Sequence, residues 1–181
     1  MPTTAAVPAT GKPVWVILTD TMPHHLTPRE IWKPHVVVAA ILEQDGKFLL
    51  VEEETDSGIL FNQPAGHLEE GESLLDAVRR EVFEETAHHF EPEALVGVYR
   101  WRHPKKRQRT YLRFAFTGVV TGYDPTSPLD TGILRAVWMS QQEIEALAHR
   151  HRSPLILDCI RDYQTGRRFP LDLLTDYPDA L

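Results

Sequence analysis

The chain has 181 residues, which at roughly 150 per domain means one compact domain with a tail. Its 19 Lys and Arg against 26 Asp and Glu give a net charge of −7, which argues against a dedicated nucleic-acid binder. The single cysteine, Cys159, excludes an internal disulfide framework and any cysteine-based zinc cluster.

The Pro/Thr/Ala-rich residues 1 to about 13 read as a disordered tail. They lack the early basic patch and apolar stretch of a signal peptide, so a cytoplasmic protein is expected. Val14–Leu18 has the composition of a short strand, but Pro23 and Pro28 interrupt the segment after it. Regular patterning begins at Trp32. His35 to Glu43 and Lys47 to Glu52 predict two strands joined by a tight turn at Asp45-Gly46. The run Val36 to Leu42 is the longest uninterrupted apolar one, far short of the ~18–20 residues that cross a bilayer, so no membrane association is expected.

Pro64-Ala65-Gly66 reads as a tight loop, and Ser73 with Asp76 caps a helix over Leu74–Ala87. Strands are predicted at Leu95–Trp101, Thr110–Val120 and Leu134–Trp138. In the second, Leu112, Phe114 and Phe116 alternate with Arg113, Ala115 and Thr117, the period of a strand with one buried face. Ser140 and Glu143 form a capping box for a helix over Gln141–Arg150. Ser153 with Pro154 starts a helix over Leu155–Thr165 that Gly166 ends, with Ile156, Cys159, Ile160 and Tyr163 as its core stripe. The sum is an α+β domain, with helices against a mostly antiparallel or mixed sheet.

Chemistry concentrates between Gly66 and Ala87. On a helix, Glu81, Glu84 and Glu85 fall within about 100° of one another, beside the apolar stripe of Leu75, Val78 and Val82. Carboxylates this close repel one another, and partial burial worsens the repulsion. Either the helix tolerates that loss or it expects a hard cation such as Mg²⁺. A solvated acidic face is the bland alternative. Arg80 follows Glu72 at a separation that lets a carboxylate–guanidinium pair tie the loop to the helix.

Gly66, Glu72 and the run Arg80-Glu81-Val82-Phe83-Glu84-Glu85 closely resemble the Nudix box. A chance match to its fixed residue types is expected about once in 10⁷ windows. The box glycine is replaced by Ala87, which puts the helix C-cap in question, and the expected aliphatic by His88. Trp32-Lys-Pro-His-Val, Asn62-Gln-Pro-Ala-Gly-His-Leu-Glu69, Tyr111-Leu-Arg-Phe114, Arg152-Ser-Pro-Leu155 and Ile160-Arg-Asp-Tyr-Gln-Thr-Gly-Arg-Arg-Phe-Pro-Leu171 resemble one Nudix subgroup, the NudJ-type phosphatases. The similarity spans about 32–173, leaving 1–31 as a partly disordered extension and 174–181 as a tail.

The resemblance implies a Nudix α/β/α sandwich with a mixed central sheet and Mg²⁺-dependent hydrolysis of phosphoanhydrides, with Mn²⁺ as a substitute. For the subgroup it implies nucleoside tri- and diphosphates and hydroxymethylpyrimidine pyrophosphate as substrates, with release of orthophosphate, in a monomer or homodimer. By the same carry-over, Glu81 and Glu85 are the principal metal ligands and Glu84 a further ligand or the residue that orients the water. The Gly66 carbonyl completes the shell, Arg80 belongs to the catalytic set, and Asn62, Gln63 and Arg113 contact substrate. The general base is Glu81 or Glu84, with Asp130 as an outside alternative.

Arg100, Arg102, His103, Lys105, Lys106, Arg107 and Arg109 form either a solvated hairpin loop or a phosphate-facing rim. Beside it, Trp101 or Tyr99 serves base stacking or the core. The pairs His24-His25 and His88-His89 read as surface residues, although His88 falls on the glutamate face of the helix. A Nudix pyrophosphatase of another specificity and a non-catalytic nucleotide sensor are the rival readings.

Overall fold

The computed structural model describes residues 31–106 and 108–177, so the expected tail, the strand at Val14–Leu18, His24-His25 and Arg107 lie outside the described residues. The chain divides after Trp32, and the site lies wholly in the second unit, Lys33–Leu181. That unit runs β1 (His35–Ile41), β2 (Glu43–Gln44), β3 (Lys47–Thr55), β4 (Gly58–Asn62), β5 (Ala65–His67), α1 (Leu74–Thr86), β6 (His88–Arg102), β7 (Thr110–Tyr123), β8 (Ile133–Ser140), α2 (Gln141–Ala146) and α3 (Leu155–Gln164).

The β2–β3 hairpin turns through Asp45 at φ 52° and Gly46 at φ 75°, the left-handed pair that a two-residue turn needs to match strand twist. One sheet has the order β5-β1-β7-β6; β1 and β7 are parallel and the other neighbours antiparallel, so the sheet is mixed. In the second sheet β3 is central, paired with β2, β4 and β8. Helix α1 packs Ala77, Val78 and Val82 against Val38, Ala40, Leu42, Leu49 and Phe116. On the opposite side, Ile156, Cys159 and Ile160 of α3 pack with Ile41, Phe48, Leu50 and Ala115. The result is the expected α+β sandwich, with helices on both sides of a mixed sheet.

That double cover corrects the expectation for β7. Arg113, Ala115 and Thr117 are buried as well as Phe116, because α3 seals the face that the alternation assigned to solvent. The tight loop expected at Pro64-Ala65-Gly66 is instead the start of β5, where Val38 pairs with Gly66. Strands β4 and β5 were not expected, and β6 runs seven residues further toward α1 than its predicted start at Leu95. Helix α2 stops at Ala146 and gives way to a 3-10 turn over Ala148–Arg150. Ser153 does not cap α3: Pro154 is the N-cap, with no side-chain bond, and its own φ of −64° sets the first turn. After α3, Gly166 turns at φ 83° and the chain returns to β6, where Leu95 and Phe169 exchange both backbone bonds at 2.8 and 2.9 Å.

Candidate active site

Ser73 accepts from Asp76 N at 3.1 Å, and from that cap α1 runs as an apolar stripe toward the sheet. The stripe carries Glu81 and Glu85 inward with it, both 8% exposed, while Glu84 stays at the rim. Their landing place is β5. Gly66 leaves a gap where a β-carbon would stand, and the Glu81 carboxyl fills it. One residue earlier, Ala65 N donates to Glu85 Oε2 at 2.8 Å.

Arg80 organises the outer half of the site. Its guanidinium donates to both oxygens of Glu72 at 2.7 and 3.0 Å, to Glu81 at 2.8 Å, to Glu84 at 3.0 Å and to His67 O at 3.0 Å. The Glu72–Arg80 pair expected from spacing is thus present, and it fastens the loop after β5 onto α1. Hydrogen bonding to Arg80 holds Glu72 below the usual carboxylate range. Burial raises Glu81 against the pull of Arg80. It pushes Glu85 up to about 8, where Glu81 and Glu53 add repulsion that Ala65 N only partly offsets.

Glu53 of β3 is a buried carboxylate beside the cluster that motif reasoning missed. It is 6% exposed; Oε2 is paired with Arg152, and Oε1 is buried with no hydrogen-bond partner among the described residues. Desolvation raises it as well. The signal was available: period two along β3 places residue 53 with Leu49 and Val51, both buried, whereas its neighbours in a run of three glutamates lie elsewhere.

The donors gathered here are all oxygens, the hard set that Mg²⁺ or Mn²⁺ takes. An unpartnered buried carboxylate oxygen at Glu53, a carboxyl seated in the Gly66 gap and mutual repulsion between Glu81 and Glu85 fit a cation held among them. Among the described residues no three His, Cys, Asp or Glu side chains close into a ready-made cage.

Asn62, Gln63 and Arg113, expected to contact substrate, are instead buried against one another, at 6%, 1% and 4% exposure. Arg113 donates to Gln63 Oε1 and Asn62 Oδ1, each at 3.1 Å, and Gln63 Nε2 reaches Ile156 O at 3.4 Å. This bracket ties β7 and α3 to the segment leading into β5. Burial lowers the Arg113 pKa from its ordinary value.

Asp130 reaches the site through its backbone, donating N–H to Glu84 O at 2.8 Å, while its carboxylate accepts from Thr131 N at 2.6 Å. His88 leaves the glutamate face: it opens β6, packs against Tyr123 and Trp138, and is half-buried. Ala87 takes the left-handed C-cap at φ 57° and donates to Phe83 O at 2.8 Å, so the helix ends as a glycine would end it. The basic loop is a hairpin end in which His103 Nδ1 accepts from Lys105 and Lys106 N–H, and Lys106 pairs with Asp56. Trp101 stacks on Tyr111 with ring centres 5.8 Å apart, and Tyr99 donates to Asp162 at 2.8 Å. Among the described residues no helix is long and apolar enough to cross a membrane.

A model of the NUDIX domain matches residues 32–159. The chain is 42% identical over 147 residues to the phosphatase NudJ of Escherichia coli strain K12, spanning 81% of this chain and 94% of that protein. A solved NUDIX hydrolase from Nitrosomonas europaea is 53% identical and superposes with a TM-score of 0.79, over 82% of this chain and all of the other. An ADP-ribose pyrophosphatase from Streptococcus suis shares the fold at 20% identity and a TM-score of 0.55, covering 76% of this chain and 96% of that one.

Proposed function

The chain is a member of the Nudix hydrolase family, and from that premise we propose that it hydrolyses the phosphoanhydrides of nucleoside tri- and diphosphates and of hydroxymethylpyrimidine pyrophosphate, releasing orthophosphate. The observation that carries this reading is the pair of buried carboxylates, Glu81 and Glu85, held against the Gly66 gap and the Ala65 N–H. The relatives named phosphatase NudJ support the orthophosphate product.

Glu81, Glu85 and the Gly66 carbonyl would hold Mg²⁺, or Mn²⁺ in its place, with Glu84 at the rim. When bound, the cation neutralises phosphate oxygens and acidifies a water. The chain's own residues set the stage for that chemistry. Arg80 fixes the carboxyls of Glu81 and Glu84 from one side, and Ala65 N–H fixes Glu85 from the other. Glu84 has the most open side chain of the three, at 44%, which supports it over Glu81 as the group that accepts a proton from an attacking water. Asn62, Gln63 and Arg113 act on substrate through the segment they brace. A monomer or homodimer in the cytoplasm, without nucleic-acid or membrane partners, is the setting this reading assigns.

A product assay with Mg²⁺ tests it. Hydroxymethylpyrimidine pyrophosphate, nucleoside tri- and diphosphates and ADP-ribose are offered separately, and orthophosphate is scored against pyrophosphate. Direct orthophosphate release from the uncapped compounds is expected; cleavage of ADP-ribose alone would keep the family chemistry and overturn the substrate class.

A further inference from the structure

The motif Arg152-Ser-Pro-Leu155 has no part in the chemistry above, yet its arginine is built into the site. Arg152 N donates to Phe61 O at 3.0 Å, beside the buried Asn62, and its guanidinium is paired with Glu53 Oε2. The two partners are unequal: the Glu53 side chain is 8% exposed and the Arg152 side chain 50%. A buried acid thus pins one edge of a guanidinium whose other edge stays open. The Arg152 charge acts on Glu85, opposing its upward push, and on Arg113 and His67, so the open edge lies within electrostatic range of the carboxylate cluster.

Besides the cation those carboxylates would hold, a polyphosphate entering the site is met best by a positive side chain with donors to spare. Arg80 is engaged by Glu72, Glu81, Glu84 and His67 O, and Arg113 is buried on two amide oxygens. Arg152 has five guanidinium donors and, among the described residues, one carboxylate partner. We propose that Arg152, pinned by Glu53, binds the terminal phosphate of the substrate and so selects compounds ending in an unsubstituted phosphate over those whose diphosphate is capped at both ends. A free phosphate end offers several oxygens and close to two charges, which the planar fork engages through paired bonds; a capped diphosphate offers one charge per phosphate. The proposal rests on the phosphoanhydride reading above.

Two uncleavable ligands separate the possibilities: methylene-bridged ADP, with a free end, and its capped counterpart, methylene-bridged ADP-ribose. Their binding with Mg²⁺ is measured by calorimetry for the wild type, Arg152→Ala and Arg152→Lys. Arg152→Ala is expected to weaken the free-ended ligand roughly 10–100-fold, in line with the loss of charge-assisted bonds, with Arg152→Lys intermediate. The loss on the capped ligand is expected to be at least about tenfold smaller. Equal loss on both, no loss on either, or no binding of the free-ended ligand by the wild type overturns the proposal. Because Arg152→Ala leaves Glu53 buried and unpaired, Glu53→Gln/Arg152→Ala, which removes both charges, is measured beside it and must show the same selectivity. Binding that persists while the product assay is silent would count against the catalytic reading and leave this one standing.

Discussion

Gly66 and Glu81 share one space: the Glu81 carboxyl sits where a β-carbon on residue 66 would be. The contact joins an edge strand to the helix that bears the glutamates. It also explains the glycine without any special backbone angle, since Gly66 is not among the residues in the left-handed region. Gly66→Ala is therefore expected to expel the Glu81 carboxyl while leaving the β1–β5 pairing intact. Turnover should fall by about two orders of magnitude, as for a catalytic group moved by an ångström. Circular dichroism should be unchanged, and full activity in the variant would break the link between the two residues.

Glu85 makes stability depend on pH in a definite direction. Its folded pKa, about 8, lies above the ordinary 4.5, so between those values the folded protein holds a proton that the unfolded chain has lost. Stability is fully present below about 4.5 and declines as pH rises toward 8, by on the order of 1.4 kcal/mol per unit for one such group. In metal-free protein the melting temperature should therefore drop from pH 5 to pH 8. Glu85→Gln should flatten that slope, stay folded and abolish divalent-metal-dependent turnover. A slope that survives the substitution would assign it elsewhere.

Ala87 ends α1 in a conformation that costs a β-carbon about 1–2 kcal/mol. Ala87→Gly relieves that strain and gives back some of the gain through a more flexible unfolded chain. A net stabilisation of about 0.5–1 kcal/mol is expected in urea unfolding, with kcat and KM unchanged. A destabilised variant would mean that the Ala87 methyl, 3% exposed, contributes more by packing than it costs by strain.

Arg113 is a buried cation that donates to two amide oxygens, Asn62 Oδ1 and Gln63 Oε1. Arg113→Met keeps much of the volume but leaves those acceptors without donors in the interior. A loss of about 2–4 kcal/mol is expected in chemical denaturation, from unsatisfied buried polar atoms. Adding Asn62→Leu, which removes one stranded acceptor, should recover part of it. Undiminished stability in Arg113→Met would show that the bracket is not under load.

Local rules made much of this readable beforehand. Ser73, Ser140 and the Asp45-Gly46 turn act through bonds to residues at most three positions away, so the sequence carries them whole. Glu81 and Glu85 were legible for the same reason, since helical spacing alone sets their common face. What spacing does not carry is the partner across the fold. β5 is three residues long and exists because β1 pairs with it, which no three-residue pattern announces. Arg113 is buried by α3, and Glu53 meets Arg152 across 99 positions of chain. Ser153 resembled a cap, but the proline after it had already fixed the helical angle.

The return of the chain from α3 to β6 has a consequence for how copies of this protein treat one another. β6 is the outer strand of its sheet, and an outer strand with free amide and carbonyl groups is a template onto which a second molecule can zip. Phe169 occupies both backbone groups of Leu95, and Pro92 withholds a donor three residues away. The opposite edge, β5, is too short to seed much pairing. The stretch after Gly166 therefore acts as a stopper against fibre-like stacking, and a chain cut there would be expected to clump before it lost its fold.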